Sequence, residues 1–275
     1  IGSASVVAAQ RPAPAMEADP AAPAHVAQQW APAQEPGETA RPEAPGPPLH
    51  SPRLRPGTPA VTAVAVTSDA VTAHAGALGG DPGVVLTAGT GTVVTAVDPT
   101  GRFTRIDGWG PLLGDEGSGG WIGLQGLRAA LRGHDGRGPD TTLAAAAADQ
   151  YGPLDTLPTL FGDHENQARL AAAFAPAVAA AAAADEVAAE IMGAAGHALG
   201  RAVLAAIDRG GLAAPVPYAV TGGLIELGAA LWAPVDRILG GRVEYRTAHG
   251  RPIDGAALLG ADTTTALEPL ITRIS

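Results

Sequence analysis

Residues 89–121 constrain the fold most, because they concentrate glycines at two separate places. The first is a short Gly-Thr-Gly-Thr turn at residues 89–92, which lies between two valine-rich runs. The second is a loop that starts at Asp107 and reads Asp-Gly-Trp-Gly-Pro-Leu-Leu-Gly-Asp-Glu-Gly-Ser-Gly. Because glycine has no Cβ, the backbone at both places can approach a ligand closely. The pattern predicts a β-hairpin followed by a glycine-rich loop.

The glycine-rich loop brings Trp109, Asp115 and Glu116 close together in sequence. An aromatic ring and a carboxylate suit a sugar, which has an apolar face and a rim of hydroxyl groups. Tight turns use the same residue types, so a core tryptophan and a capping aspartate are the alternative interpretation.

A second candidate site lies at Asp69, between a predicted strand at 60–67 and a predicted helix that ends at Gly79 and Gly80. In α/β sheets, ligands bind where strands end and helices begin, so Asp69 is a candidate functional carboxylate. Its alternative role is to cap the helix. We expect His74, one turn later, to be packed or exposed rather than catalytic.

The remaining pattern alternates strands and helices. Strands are predicted at 84–88, 93–97, 102–106, 216–221 and 243–247, and helices at 121–133, 141–150, 163–174, 186–209, 224–232 and near 259. Asp185 is the predicted cap of the long helix. Gly222 and Gly223, between a strand and a helix, suit a nucleotide or anion site, although close packing of the turn explains them equally well.

Composition excludes several classes of function. The net charge of −10 argues against nucleic-acid and anionic-membrane partners. The chain has no cysteine, which excludes disulfides, thiolate zinc sites and cysteine-held iron–sulfur clusters. All 17 basic residues are arginine, so there is no Walker A lysine and no Schiff-base lysine. No run reaches the ~18 apolar residues of a membrane span.

The first 59 residues differ from the rest, because they are crowded with proline and alanine and poor in large apolar side chains. Such a segment buries too little surface to offset its ordering entropy. We therefore predict a disordered linker at 1–59, and a folded domain at 60–275.

Taken in this order, residues 60–261 resemble the N-acetylglucosamine kinase-like family, which includes the BadF/BcrA-type ATPases of the sugar kinase, Hsp70 and actin superfamily. The most specific match is the loop that starts at Asp107, preceded by the turn at 89–92 and by Ser68-Asp69-Ala70. The resemblance implies an α/β, ribonuclease-H-like (actin-like ATPase) fold of two domains with a cleft, the first domain being degenerate or truncated. It also implies that residues 1–59, if they are not a linker, are the remnant of that first domain.

The resemblance also implies roles for single residues. Asp69 matches the catalytic base, Gly108, Trp109 and Asp115 match sugar contacts, and Gly222 and Gly223 match the adenosine motif. The phosphate hairpin is matched by Gly89, Thr90, Gly91 and Thr92, whose backbone N–H groups can hold phosphate oxygens without a lysine. The implied activity is ATP- and Mg²⁺-dependent phosphorylation of an amino sugar in the cytoplasm. The implied partner is this small-molecule sugar, and a homodimer is compatible with the family.

Two departures from the family pattern bear on activity. An Asp-x-Gly-Gly-Thr type motif that helps to place magnesium is reduced to Ile-Gly-Ser-Ala-Ser at residues 1–5, so the metal ligands are unknown. Val93, after the hairpin turn, lacks the polar side chain that some members direct at an acetamido group. A catalytically inactive sugar- or nucleotide-binding relative is therefore the alternative. An activator of a radical dehydratase is set aside, because such proteins hold a cluster through cysteines.

Overall fold

The computed structural model describes residues 4–6 and 64–274. The strands are β1 (Ala4–Val6), β2 (Val64–Ser68), β3 (Gly83–Ala88), β4 (Thr92–Val97), β5 (Phe103–Asp107), β6 (Val216–Thr221), β7 (Val243–Tyr245) and β8 (Thr272–Ile274). The helices are α1 (Asp69–Leu78), α2 (Gly119–His134), α3 (Leu143–Tyr151), α4 (Leu157–Gly162), α5 (Gln167–Ala172), α6 (Ala175–Ala181), α7 (Glu186–Gly210), α8 (Ala229–Leu239) and α9 (Pro252–Ala261). The predicted division at residue 60 lies outside these residues, and it stays a prediction.

A five-stranded sheet in the order β5-β4-β3-β6-β7 forms the centre of the described part. The first three strands are antiparallel, and the predicted hairpin is confirmed by the pairing of Ala88 with Thr92 and of Gly83 with Val97. β6 runs parallel to β3, and β7 runs parallel to β6. The carboxyl ends of β3 and β6 therefore lie side by side, which places the two predicted glycine turns next to each other.

Helices cover both faces of this sheet, because its strands are apolar on both sides. Val84 and Leu86 of β3 point into the main core, together with residues of α2, α7 and α8. Val85 points to the opposite face, where it packs against the end of α1. This mixed arrangement confirms the predicted α/β class.

A second, three-stranded antiparallel sheet has the order β1-β2-β8. Its central strand, β2, leads directly into α1, where the Ser68 side chain accepts a hydrogen bond from the N–H of Val71. The helix ends at Gly79, whose φ of 65° is left-handed. The sequence signals for this strand, helix and glycine stop were correct, whereas β8 was not predicted.

One predicted helix, at 163–174, is wrong in its extent. The chain forms α5 from Gln167 to Ala172 and starts α6 at Ala175, with Pro176 in its first turn. The start of α5 is set by Asn166, whose side chain accepts a hydrogen bond from the N–H of Arg169. A polar cap inside the apolar pattern thus moved the start of the helix.

The long helix α7 begins where Asp185 predicted it. The Asp185 carboxylate accepts hydrogen bonds from the N–H groups of Ala188 and Thr142, and from the hydroxyls of Thr141 and Thr142. Burial would raise the pKa of Asp185, but these four donors outweigh it and lower that pKa to about 2. One carboxylate therefore ties the start of α7 to the start of α3.

We expect an Asp185→Ala variant to lose about 2 kcal/mol of folding free energy at neutral pH, from the lowered pKa and the lost cap. The pKa of Asp185 is lower in the folded protein than in the unfolded chain, where it is near 4. The stabilisation is therefore fully present above that unfolded pKa and is lost as the pH falls towards 2. Thermal unfolding should show a Tm lower by roughly 4–8 °C. Asp149→Ala, at an exposed position on α3, is the matched control.

Among the described residues, no single helix is both long and apolar enough to span a membrane. Residues 167–181 and 186–210 satisfy the length and composition test only as a pair, and that pair is bent by 116°.

Candidate active site

The turn between β3 and β4 is held so that it presents amide groups outward. Its own closing bond runs from the N–H of Gly89 to the carbonyl of Gly91, at 2.9 Å. The carbonyls of Gly89 and Thr90 accept hydrogen bonds from the N–H groups of Gly119 and Gly120, at 2.8 and 2.9 Å. Within the described residues, the N–H groups of Thr90 and Gly91 have no backbone acceptor. These two donors suit phosphate oxygens, as predicted for a lysine-free turn.

The start of α2 explains why glycines occupy positions 119 and 120. A Cβ at Gly119 would lie 3.1 Å from the carbonyl oxygen of Gly89, and one at Gly120 would lie 2.9 Å from that of Thr90. Larger residues would push the helix away from the turn. The Ser118 side chain caps the helix by accepting from the N–H of Trp121.

Asp107 organises the glycine-rich loop, and sequence reasoning missed this role. Its Oδ1 accepts from the N–H of Asp115 at 2.9 Å, and its Oδ2 accepts from the N–H of Glu116 at 3.2 Å. Both Asp107 and Asp115 adopt left-handed backbone conformations, with φ of 60° and 56°. Such conformations are uncommon outside glycine and recur at functional sites. The sequence carried one signal for this role, an aspartate at the first position of a turn. The side chain of such an aspartate commonly accepts hydrogen bonds from the N–H groups of residues that follow it.

Trp109 lies on the outside of this loop, with 71% of its surface exposed. The Arg105 guanidinium lies 5.7 Å from the centre of its ring and donates to the carbonyls of Asp107 and Gly108. Arg105 therefore fixes the backbone on both sides of the turn while it contacts the indole. The exposed indole is available to cover the apolar face of a ligand.

Asp115 joins the loop to the hairpin. A Cβ at Gly91 would lie only 2.7 Å from the Asp115 Oδ2, so the carboxylate occupies the space that the missing side chain leaves. Burial and the nearby Asp107 raise the pKa of Asp115, while the N–H groups of Thr92 and Gly110 act in the opposite direction. The predicted sugar-binding carboxylate and the predicted phosphate hairpin are thus in direct contact.

Gly222 lies against the end of β3. It has a φ of 100°, and any Cβ there would overlap the carbonyl of Ala88. Gly223 is different, because a Cβ at that position would meet nothing within 4 Å. The double glycine therefore combines one residue required for packing with one that borders open space.

The predicted helix at 224–232 is wrong. A short 3₁₀ turn at Gly223–Leu227 follows the double glycine, and α8 starts at Ala229 after Gly228, whose φ is 73°. The carbonyl of Leu224 accepts from the Trp232 indole at 3.0 Å, which holds this turn against α8. The two glycines are thus followed by a 3₁₀ turn rather than by the start of an α-helix.

Asp69 is the first residue of α1 and is exposed. Ser68 is the cap, so the capping interpretation of Asp69 is wrong. The Asp69 Oδ1 accepts from the N–H of Ala70 at 2.8 Å, which leaves most of the carboxylate facing solvent. The structure brings together the hairpin, Asp115 and Gly222, while the described contacts of Asp69 stay within its own helix.

His74, in the middle of α1, is packed as expected. It is fully buried, and its Nδ1 lies 3.1 Å from the Thr95 hydroxyl. Burial lowers the pKa of His74 to about 4, so the ring is neutral near pH 7. This contact places α1 on the face of the sheet that also carries Thr87 and Thr221, whose hydroxyls are 3.2 Å apart.

Most of the chain matches the model of one protein family. The model of the BadF/BadG/BcrA/BcrD ATPase family matches residues 54–260, more than half of the 275 residues. The chain belongs to this family. The predicted resemblance is confirmed, and with it the ribonuclease-H-like, actin-like ATPase fold class.

Two curated relatives match shorter stretches. An N-acetylmuramic acid/N-acetylglucosamine kinase of Clostridium acetobutylicum is 38% identical over 86 residues, which are 31% of this chain and 28% of that protein. An N-acetyl-D-glucosamine kinase of Dictyostelium discoideum is 48% identical over 61 residues, which are 22% of this chain and 19% of that protein.

Two crystal structures are also similar. A candidate N-acetylglucosamine kinase from Chromobacterium violaceum has a TM-score of 0.58 and 31% identity, over 70% of this chain and 64% of the other. One from Porphyromonas gingivalis has a TM-score of 0.53 and 22% identity, over 69% and 64%, and it supports the fold alone. The matched part thus spans less than two thirds of each of these relatives.

Proposed function

We propose that this chain catalyses the ATP-dependent phosphorylation of an amino sugar, of the N-acetylglucosamine or glucosamine type, at a hydroxyl group. The observation that carries the proposal is the contact of Asp115 with Gly91. This contact holds a carboxylate that suits sugar hydroxyls next to free amide donors that suit phosphates. Family membership and the sugar-kinase names of the relatives point the same way.

The sugar is positioned by the glycine-rich loop. The Asp115 carboxylate accepts hydrogen bonds from ring hydroxyls, and the exposed Trp109 indole covers the apolar face of the ring. Gly108, with a φ of 73°, shapes the loop behind the ring, and Arg105 and Val93 fill the space that a Cβ would take there. Val93 packs against Gly108 and offers no hydrogen bond to an acetamido group, so glucosamine stays a substrate candidate beside N-acetylglucosamine.

The nucleotide lies on the other side of the hairpin. The N–H groups of Thr90 and Gly91 hold phosphate oxygens, with Gly89 and Thr92 shaping the turn. Gly223 borders open space beside it, which suits the adenosine, and Gly222 keeps this segment close to β3. Magnesium that binds with ATP neutralises charge on the phosphates. The described residues contain no cluster of three carboxylate or histidine ligands, and we assign no metal ligand.

Asp69 is the general base of the proposed reaction. It takes the proton of the acceptor hydroxyl as that oxygen forms a bond to the γ-phosphorus. The bond from the γ-phosphorus to the bridging oxygen breaks, and ADP leaves. α1 packs on the face of the sheet that also carries Thr87 and Thr221, near the ends of β3 and β6, which supports this assignment. We also propose that the reaction takes place in the cytoplasm. That the protein forms a homodimer stays a prediction.

The alternative is a relative that binds sugar or nucleotide without turnover. It is favoured by the exposure of Asp69, whose described side-chain contact is the N–H of Ala70 in its own helix. Sugar binding by calorimetry together with no transfer from ATP would support this alternative. Sustained turnover would exclude it.

The direct test is the transfer of phosphate from labelled ATP to glucosamine and N-acetylglucosamine. We expect Asp115→Asn to lower kcat/KM for the sugar by about 10- to 100-fold, the value of a charged hydrogen bond. The KM for ATP should change little, because the hairpin keeps its amide donors. Asp149→Asn, on the exposed side of α3, should match the wild type. An Asp115→Asn variant with unchanged sugar kinetics would contradict the sugar-binding assignment.

A further inference from the structure

A cavity of about 620 Å³ extends from Asp115 along one face of α2. It begins beside the hairpin at Gly120 and continues to Arg128, which is about 12 Å further along the helix at 1.5 Å per residue. Pockets of this volume commonly enclose a ligand larger than a single sugar ring. A ring held by Asp115 therefore occupies only the hairpin end, and the far end is available for a second group.

The part of the cavity nearest the hairpin has an apolar surface. Trp121 and Leu124 line it, and they are neighbours on α2 because they lie three residues apart. Both are partly exposed, and Trp121 also packs against the main core, which holds the side chain in place. A fixed, partly exposed indole offers a flat surface that suits the apolar face of a sugar ring.

Charged side chains of both signs line the same cavity. They are Glu116, Glu165 and Arg128, and all three are exposed. Among the described residues, none of the three forms a salt bridge. A hydroxyl group both donates and accepts hydrogen bonds, so it can bind a carboxylate as well as a guanidinium. A charged ligand would meet a group of its own sign here, whereas a neutral ligand rich in hydroxyl groups would not.

The segment before α5 forms another wall of the cavity, and hydrogen bonds hold it in place. The Nδ1 of His164 accepts from the N–H of Asn166, and the Asn166 side chain caps α5. The Gln167 amide donates to the carbonyl of Phe161 at 2.9 Å. Glu165 lies between these anchored residues in the chain. The wall is therefore formed before any ligand binds, as is usual for small-molecule sites.

We propose that this cavity is a subsite for a second sugar ring, so that the phosphate acceptor is a neutral disaccharide of N-acetylated amino sugars. This inference rests on the proposed function, because Asp115 places the first ring beside the hairpin. The second ring stacks on Trp121, and its hydroxyl groups bind Arg128 and Glu165. These two side chains determine specificity and take no part in the transfer step. The bonds that form and break are those of transfer to a single sugar.

The test compares two acceptors that differ by one ring, N-acetylglucosamine and N,N′-diacetylchitobiose. The wild type should phosphorylate both, with a KM lower by about tenfold or more for the disaccharide, the value of one hydrogen bond to a charged group. Arg128→Ala and Glu165→Gln should each raise the KM for the disaccharide by about tenfold and leave the KM for N-acetylglucosamine unchanged. The matched controls are Arg169→Ala and Glu190→Gln, at exposed positions that do not line the cavity.

The outcomes separate this inference from the proposed function. Transfer to N-acetylglucosamine alone, or the same rise in KM for both acceptors in the two variants, would overturn the subsite and leave the kinase proposal standing. If neither acceptor is phosphorylated, the kinase proposal fails, and calorimetry with both sugars then decides the subsite. Tighter binding of the disaccharide that both variants weaken would support it. Equal binding of the two sugars, or no binding, would overturn it.

Discussion

An Asp69→Asn variant is expected to lose about 10²- to 10⁴-fold in kcat for transfer to the sugar, the usual contribution of a general base. Asparagine has almost the same shape as aspartate but cannot take the proton of the attacking hydroxyl. The KM for both substrates should change much less than kcat. The measurement is the initial rate of phosphate transfer with each substrate varied in turn.

The fold should tolerate this change. Ser68, rather than Asp69, caps α1, and the side-chain oxygen of asparagine can still accept from the N–H of Ala70. The Tm should therefore stay close to that of the wild type. Asp81→Asn, an exposed aspartate just beyond the other end of α1, is the matched control. An Asp69→Asn enzyme that is as active as this control would remove the base assignment.

Two neighbouring glycines are expected to respond differently to substitution by alanine. Gly222→Ala should lose about 3 kcal/mol or more of folding free energy, because it places a Cβ against the Ala88 carbonyl at a left-handed φ. That loss corresponds to a Tm lower by roughly 6–12 °C. Gly223→Ala should keep the Tm, because its Cβ would enter open space. Thermal unfolding of both variants measures this difference.

The same pair tests the adenosine assignment. If the nucleotide lies against Gly223, the added methyl group of Gly223→Ala occupies part of its space, and the KM for ATP rises while the KM for the sugar does not. Gly193→Ala, on α7, also has open space around its Cβ and serves as the control. Unchanged ATP kinetics in a stable Gly223→Ala variant would contradict a nucleotide at this position.

Local signals in the sequence predicted much of this architecture. The valine runs around the turn at 89–92 specified a hairpin, and Asp185 specified the start of α7, because both depend on residues within a few positions. The same kind of signal failed at 224–232, where Gly228 interrupts the predicted helix. It also failed at 163–174, where Asn166 caps a shorter one. At both places, a helix cap or a left-handed glycine sets the helix boundary against the pattern of apolar residues. The spacing of apolar residues alone does not show which of these signals decides the boundary.

By itself, the sequence determined the α/β class, the family and the two glycine motifs, since these follow from local pattern and motif order. Only the tertiary structure decided that Asp115 fills the space that the missing side chain of Gly91 leaves. It also placed Gly222 against the Ala88 carbonyl. These contacts join residues from separate strands and turns. Their geometry is set by the pairing of β3 with β4 and β6, which no local pattern contains.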